Sequence, residues 1–123
     1  MSAITKALVA FVHVADVERS IRFYADLGFR VGNSVTPEGG DKPTWAWLQS
    51  GEASLMVAQA SGPIDAQQQA VLFYLYYDDI AQTRAALLTL GHDPGAIHYP
   101  FYMPGGECRL HDPDGYVLML AQI

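Results

Sequence analysis

Sliding the chain against itself by 63 residues lays SLMVAQA at 54–60 on VLMLAQI at 117–123, matching Leu55 to Leu118, Met56 to Met119, Ala58 to Ala121 and Gln59 to Gln122. The same offset lays Asp16 on Asp79, Val17 on Ile80, Leu27 on Leu90, Gly28 on Gly91 and Pro37 on Pro100. One shift recovers a helix-opening acid, a helix-closing glycine and a final strand, which identifies an internal duplication. Whatever one half folds into, the other half must fold into as well.

The local patterns say what that is. ALVAFVHV at 7–14 is β-branched and aromatic, with a partial alternation that suits a strand. Asp16 is placed to cap a helix through VERSIRFYADL, where Val17, Ile21, Tyr24 and Leu27 fall at helical spacing and Gly28 suits the position after the helix. The second half repeats the series, with AVLFYLYY at 70–77 as an aromatic strand, Asp79 capping IAQTRAALLTL and Gly91 closing it. Shorter strands are predicted at 29–35, 45–49 and 53–59, and again at 97–99, 107–111 and 116–122. Each half therefore reads βαβββ. ASGPIDAQQQA at 60–70 has linker composition, which gives one domain over 1–123 with module 1 at about 5–60 and module 2 at about 71–123. DPDG at 112–115 is a tight-turn signal between the last two strands.

Composition narrows the function classes. The formal charge is -6 with only seven Lys and Arg, which opposes a phosphate-tracking surface and makes nucleic acid an unexpected partner. No stretch is apolar for long enough to span a bilayer, and the N-terminus lacks the pattern of a signal peptide. Cys108 is the only cysteine, so no intrachain disulfide can form, and a reducing cytoplasm is the expected setting. There is no Gly-rich phosphate loop, CxxC or HExxH, and neither Ser20 nor Ser54 has His and Asp at a spacing that suggests a triad.

Paired βαβββ modules with VADVERSIRFYADLGF near the start and HDPDGYVLMLAQ at the end resemble the vicinal oxygen chelate superfamily of glyoxalases, bleomycin-resistance proteins and extradiol dioxygenases. In character the chain is most similar to metal-free members of that group. The resemblance implies an α+β fold in which two tandem βαβββ modules form a curved mixed sheet around a concave cavity. It also implies a homodimer. Members that use metals place ligands in four slots, which here are Val9 and Leu72 on the first strand of each module and Met56 and Met119 on the last. All four are apolar. Val and Leu offer no lone pair, and thioethers are too soft for zinc, nickel or manganese, so no metal and no cofactor is expected.

Side chains alternate across a strand, so the slots fix their neighbours on the same face. Those are Phe11 and His13 beside Val9, Tyr74 and Tyr76 beside Leu72, and Val117 and Ala121 beside Met119, with Glu107, Arg109 and His111 turned the same way. Trp45 and Trp47 share one face and, under the 63-residue shift, match Cys108 and Leu110, which favours the core. The run YPFYMPGGE at 99–107 reads as a lid carrying Phe101 and Tyr102, or as a loop that packs on a partner subunit. Glu107 either pairs with Arg109, anchors a cationic or hydroxylated ligand, or acts as a base.

The expectation is thus a metal-free protein that binds an organic ligand, cationic or aromatic, in a dimeric cavity. The candidate ligand-binding residues are Val9, Phe11, His13, Met56, Leu72, Tyr74, Tyr76, Phe101, Tyr102, Glu107, Arg109 and Met119. The competing reading is a glyoxalase-like lyase or isomerase with Glu107 or His13 as general base. Such an enzyme works either without metal or with ligands relocated to His13, Glu107 and His111.

Overall fold

The computed structural model describes residues 3–123. The elements run β1 (Ala10–Val14), α1 (Val17–Ala25), β2 (Arg30–Val35), β3 (Trp45–Ser50), β4 (Ala53–Gln59), a 3-10 turn at Ala66–Gln68, β5 (Leu72–Tyr77), α2 (Ile80–Thr89), β6 (Glu107–His111) and β7 (Val117–Gln122). The chain divides into two compact units, one ending at Ile64 and the other beginning at Asp65.

Both helices start and stop by the same devices. The Asp16 carboxylate accepts the Arg19 N–H at 3.1 Å, and the Asp79 carboxylate accepts the Gln82 N–H at 3.0 Å. Each satisfies an amide that the first helical turn leaves without a partner. That backbone bond, aided by nearby Lys42, Arg19 and Arg22, holds the Asp16 carboxyl below the usual carboxylate range. Gly28 at φ +102° and Gly91 at φ +93° then take the left-handed turn that ends each helix.

In the first unit, β1 pairs in parallel with β4, and β4 and β2 flank β3 in antiparallel ladders, giving the order β1-β4-β3-β2. Val12, Val14, Ala46, Leu48, Leu55 and Val57 turn to one face and are buried with Val17, Tyr24 and Leu27 of the α1 segment. Each Val or Leu side chain so removed from water contributes about 1.5–3 kcal/mol. In the second unit, β5 pairs in parallel with β7, which also pairs antiparallel with β6. Cys108, Leu110, Leu118 and Leu120 are buried with Ile80 and Leu87 of α2. No helix among the described residues is long and apolar enough to cross a membrane.

Two expectations need correction. The strands do not form one curved mixed sheet around a concave cavity: they form a four-stranded and a three-stranded sheet, each open at both ends and neither closed on itself. The strand expected at 97–99 shrinks to an isolated bridge between His98 and Glu107. The surrounding DPGAIHYP carries two prolines, which cannot donate to a ladder, so the second unit lacks a counterpart of β2.

The ends of the parallel strands are latched by equivalent glutamines. Gln59 Nε2 donates to the Ala15 carbonyl and Gln122 Nε2 to the Asp78 carbonyl, positions related by the same 63-residue shift. Gln122 Oε1 also accepts the Ile80 N–H at 2.7 Å, serving a free amide of α2. Gln122→Ala should therefore lower stability by about 1–2 kcal/mol, and Gln59→Ala, an exposed site with one partner, by about 0.5–1 kcal/mol, both read by urea denaturation.

A second test uses Tyr77, whose hydroxyl is pushed up to about 12 by burial and by the neighbouring Cys108 thiol. A phenol whose folded-state pKa exceeds its unfolded value holds its proton more tightly in the fold. Its stabilisation is therefore complete below pH 10 and is lost as the pH climbs toward 12. Urea midpoints measured from pH 9 to 11.5 should fall, and Tyr77→Phe should flatten that fall.

Candidate functional site

The pairing registers define what lies on the sheet face turned away from each helix. In the second unit three rungs cross that face: His111, Val117 and Leu72; Arg109, Met119 and Tyr74; Glu107, Ala121 and Tyr76. In the first unit the rungs are Trp47, Met56 and Phe11, then Trp45, Ala58 and His13. Val9 lies just ahead of β1 and is half-buried.

Trp45 and Trp47 are therefore not on the core face. Ala46 and Leu48, which alternate with them, are the fully buried residues, and the two indoles remain partly exposed beside Phe11, His13 and Met56. The reason is a change of offset within the repeat. Ala46 pairs with Val57 and Cys108 pairs with Leu120, so β3 matches β6 at 62 residues rather than 63. This puts Trp45 where the second unit has Glu107, and Trp47 where it has Arg109. The alternation in WAWL was the available signal, since Ala and Leu flank each other across one face only.

The second unit gathers most of the candidates. Glu107 is 6% exposed, and its Oε1 accepts a hydrogen bond from the Tyr74 hydroxyl at 3.3 Å. Burial raises the Tyr74 phenol above its ordinary value, with the Glu107 charge and nearby Tyr102 adding to the effect. The rings of Tyr74 and Tyr76 stack with centroids 6.1 Å apart. Beside them, along β6, lies a cleft of about 640 Å³ lined by His98, Tyr99, Tyr102, Glu107, Arg109 and Met119, among others. Arg109 is exposed, so the carboxylate takes its hydrogen bond from a phenol while the guanidinium faces water. His98, Tyr99 and Pro100 border this cleft without having been candidates, because an irregular loop has no period from which to read an orientation.

Phe101 is 96% exposed and meets Tyr102 edge to face at 5.5 Å. His13 is exposed and packs edge to face with Phe11 at 5.4 Å. Leu72, Tyr74 and Tyr76 are between 39% and 56% exposed, so this face presents apolar surface outward. Cys108 is buried against α2 and burial pushes its thiol up, which makes it a core residue rather than a nucleophile.

The residues in the four slots do not suit a divalent metal. Val9, Met56, Leu72 and Met119 carry neither nitrogen nor oxygen on their side chains, and among the described residues no group of three or more His, Cys, Asp or Glu could hold a metal ion.

No curated protein matches the chain in sequence. Solved structures do match in fold. A bleomycin-binding protein complexed with bleomycin superposes with a TM-score of 0.76 at 23% identity, covering 97% of this chain and 99% of that one. The antibiotic-binding protein TnmS3 of a Streptomyces species superposes with a TM-score of 0.74 at 24% identity, covering 99% and 98%. The fosfomycin resistance protein FosX of Mesorhizobium loti superposes with a TM-score of 0.73 at 17% identity, covering 96% and 92%. Residues 7–120 match the family described as the Glyoxalase/Bleomycin resistance protein/Dioxygenase superfamily, and with the duplicated modules and their terminal DPDG strand pair this places the chain in that superfamily.

Proposed function

We propose that this chain is a metal-free small-molecule-binding member of the superfamily, a homodimer that takes an organic ligand on the aromatic faces of its sheets. The observation that carries this reading is the substitution of the four slots. Val9, Met56, Leu72 and Met119 stand where metal-using relatives are expected to place ligands, and each unit carries aromatic residues on the face of its own slots, Phe11, Trp45 and Trp47 in the first and Tyr74 and Tyr76 in the second. A surface that offers aromatic rings and few polar groups gains binding energy from stacking and apolar burial and orients its ligand with a small polar set, here Glu107, Tyr74 and Arg109. Two of the similar structures are binding proteins for bleomycin and for an antibiotic, which supports binding as a use of this fold.

A dimer fits the apolar surface left outward along one face of β5 at Leu72, Tyr74 and Tyr76, since contiguous apolar patches usually meet a partner or a ligand. The competing reading, a glyoxalase-like lyase or isomerase, draws on the Tyr74–Glu107 hydrogen bond, which joins a proton donor to a carboxylate beside a cleft.

The two readings separate in one set of experiments. Protein purified without chelators or a metal-binding tag should carry no stoichiometric metal, and its melting temperature should not move with EDTA. Light scattering should give the mass of a dimer. A thermal-shift screen of aromatic and amine-bearing compounds should yield a saturable ligand with no turnover, stabilising by about 2.7 kcal/mol at a hundredfold excess over Kd. About one metal per chain with an EDTA-sensitive melt would instead establish relocated metal ligands and turn the search to a lyase or isomerase.

A further inference from the structure

A carboxylate taken out of water is costly unless a cation or several donors compensate it. Glu107 is 6% exposed, and its Oε1 accepts from a neutral phenol, Tyr74, at 3.3 Å. A phenol at that distance is a weaker partner for a carboxylate than an ammonium or guanidinium would be. The guanidinium nearest in sequence, Arg109, lies two residues along the same strand face, about 6.7 Å away at the backbone, and is exposed. Water screens the Arg109 charge far more than it screens a buried carboxylate.

Glu107 also borders the cleft of about 640 Å³, with Tyr99, Tyr102, Pro100 and Met119 among its other walls. The stacked rings of Tyr74 and Tyr76 continue the same sheet face. A carboxylate and the rings of Tyr99 and Tyr102 around one recess attract an organic cation twice, by charge and by the negative faces of the rings. The net charge of -6 adds a favourable long-range field.

We propose that this cleft, contained within the second unit, is a binding site for an organic amine. The ammonium sits against Glu107 and the rings of Tyr99 and Tyr102, and the apolar body of the ligand lies over Met119 and Pro100. The proposal rests on the ligand-binding reading above and adds the charge class of the ligand.

The test is a titration of the full ¹⁵N-labelled chain, followed by amide NMR, with two probes of one size: 2-phenylethylamine, protonated at pH 7, and neutral 2-phenylethanol. The amine should shift the amides of 74–76 and the non-proline amides between 98 and 109 along a saturable curve and bind at least tenfold tighter than the alcohol. Glu107→Gln should bring the two affinities together, and Glu52→Gln, the same loss of charge at an exposed site in the first unit, should retain the preference. Equal affinities in the unaltered protein, or a preference that survives Glu107→Gln, would overturn the proposal. If only the alcohol binds, the ligand-binding reading stands and the amine assignment falls. If neither probe shifts any amide of the cleft, the amine site is refuted, and the thermal-shift screen judges the broader reading separately.

Discussion

The parallel pairing of the first and last strands of each module sets everything else in place. A parallel pair cannot be closed by a tight turn, so β1 reaches β4, and β5 reaches β7, only across a helix and the intervening strands. These contacts are far apart in sequence, and a slip of one residue would exchange the buried and outward faces of the strand. The glutamine at the end of each last strand guards against that slip. Gln59 and Gln122 bind the carbonyl just past the end of β1 or β5, and this bond is made at one register only.

Given that register, each sheet has two unlike faces. One is aliphatic and closed by a helix: Val12, Val14, Leu48 and Val57 in the first unit, Leu110, Leu118 and Leu120 in the second. The other is aromatic, with Phe11, Trp45 and Trp47 in the first unit and Tyr74 and Tyr76 in the second. Helices pack on aliphatic faces, so the aromatic faces stay available. Glu107 is the exception in chemical type: an ionisable side chain on the aromatic face that is nonetheless removed from water.

Both helices could be read from the sequence because their signals are local. Asp16 and Asp79 cap through amides three residues away, and Gly28 and Gly91 supply positive φ where an L side chain is disfavoured. Strands β2, β3, β4, β6 and β7 fall within a residue of their expected positions, while β5 begins at Leu72 rather than 70 and β1 at Ala10 rather than 7. What failed was what local pattern cannot carry. The sheet expected to curve around a cavity divides into two open sheets, because strand order depends on pairings between distant segments. A constant offset of 63 places Trp45 and Trp47 on the core face, but the halves differ by one residue ahead of β3 and β6, which turns both indoles to the other face. The strand expected at 97–99 is held to a bridge because Pro94 and Pro100, on either side of it, have no N–H to give to a ladder.

Comparing the halves position by position separates what holds the fold from what the face presents. The capping aspartates, the positive-φ glycines and the glutamine latches recur at equivalent positions, and each has a backbone partner or a backbone angle as its reason. On the outward face only the last strand recurs, Met56 matching Met119 and Ala58 matching Ala121; on the flanking strands Trp45 and Trp47 in one half stand where Glu107 and Arg109 stand in the other, and His13 where Tyr76 does. Side chains on an outward face answer to no backbone requirement, so the duplicated scaffold leaves them free to differ. The two faces have accordingly become chemically distinct, indole-rich in one half and a carboxylate among phenols in the other. A single ligand chemistry would not suit both equally, and the half that holds a charge away from water is the one whose preference should depend most on the charge of what it binds.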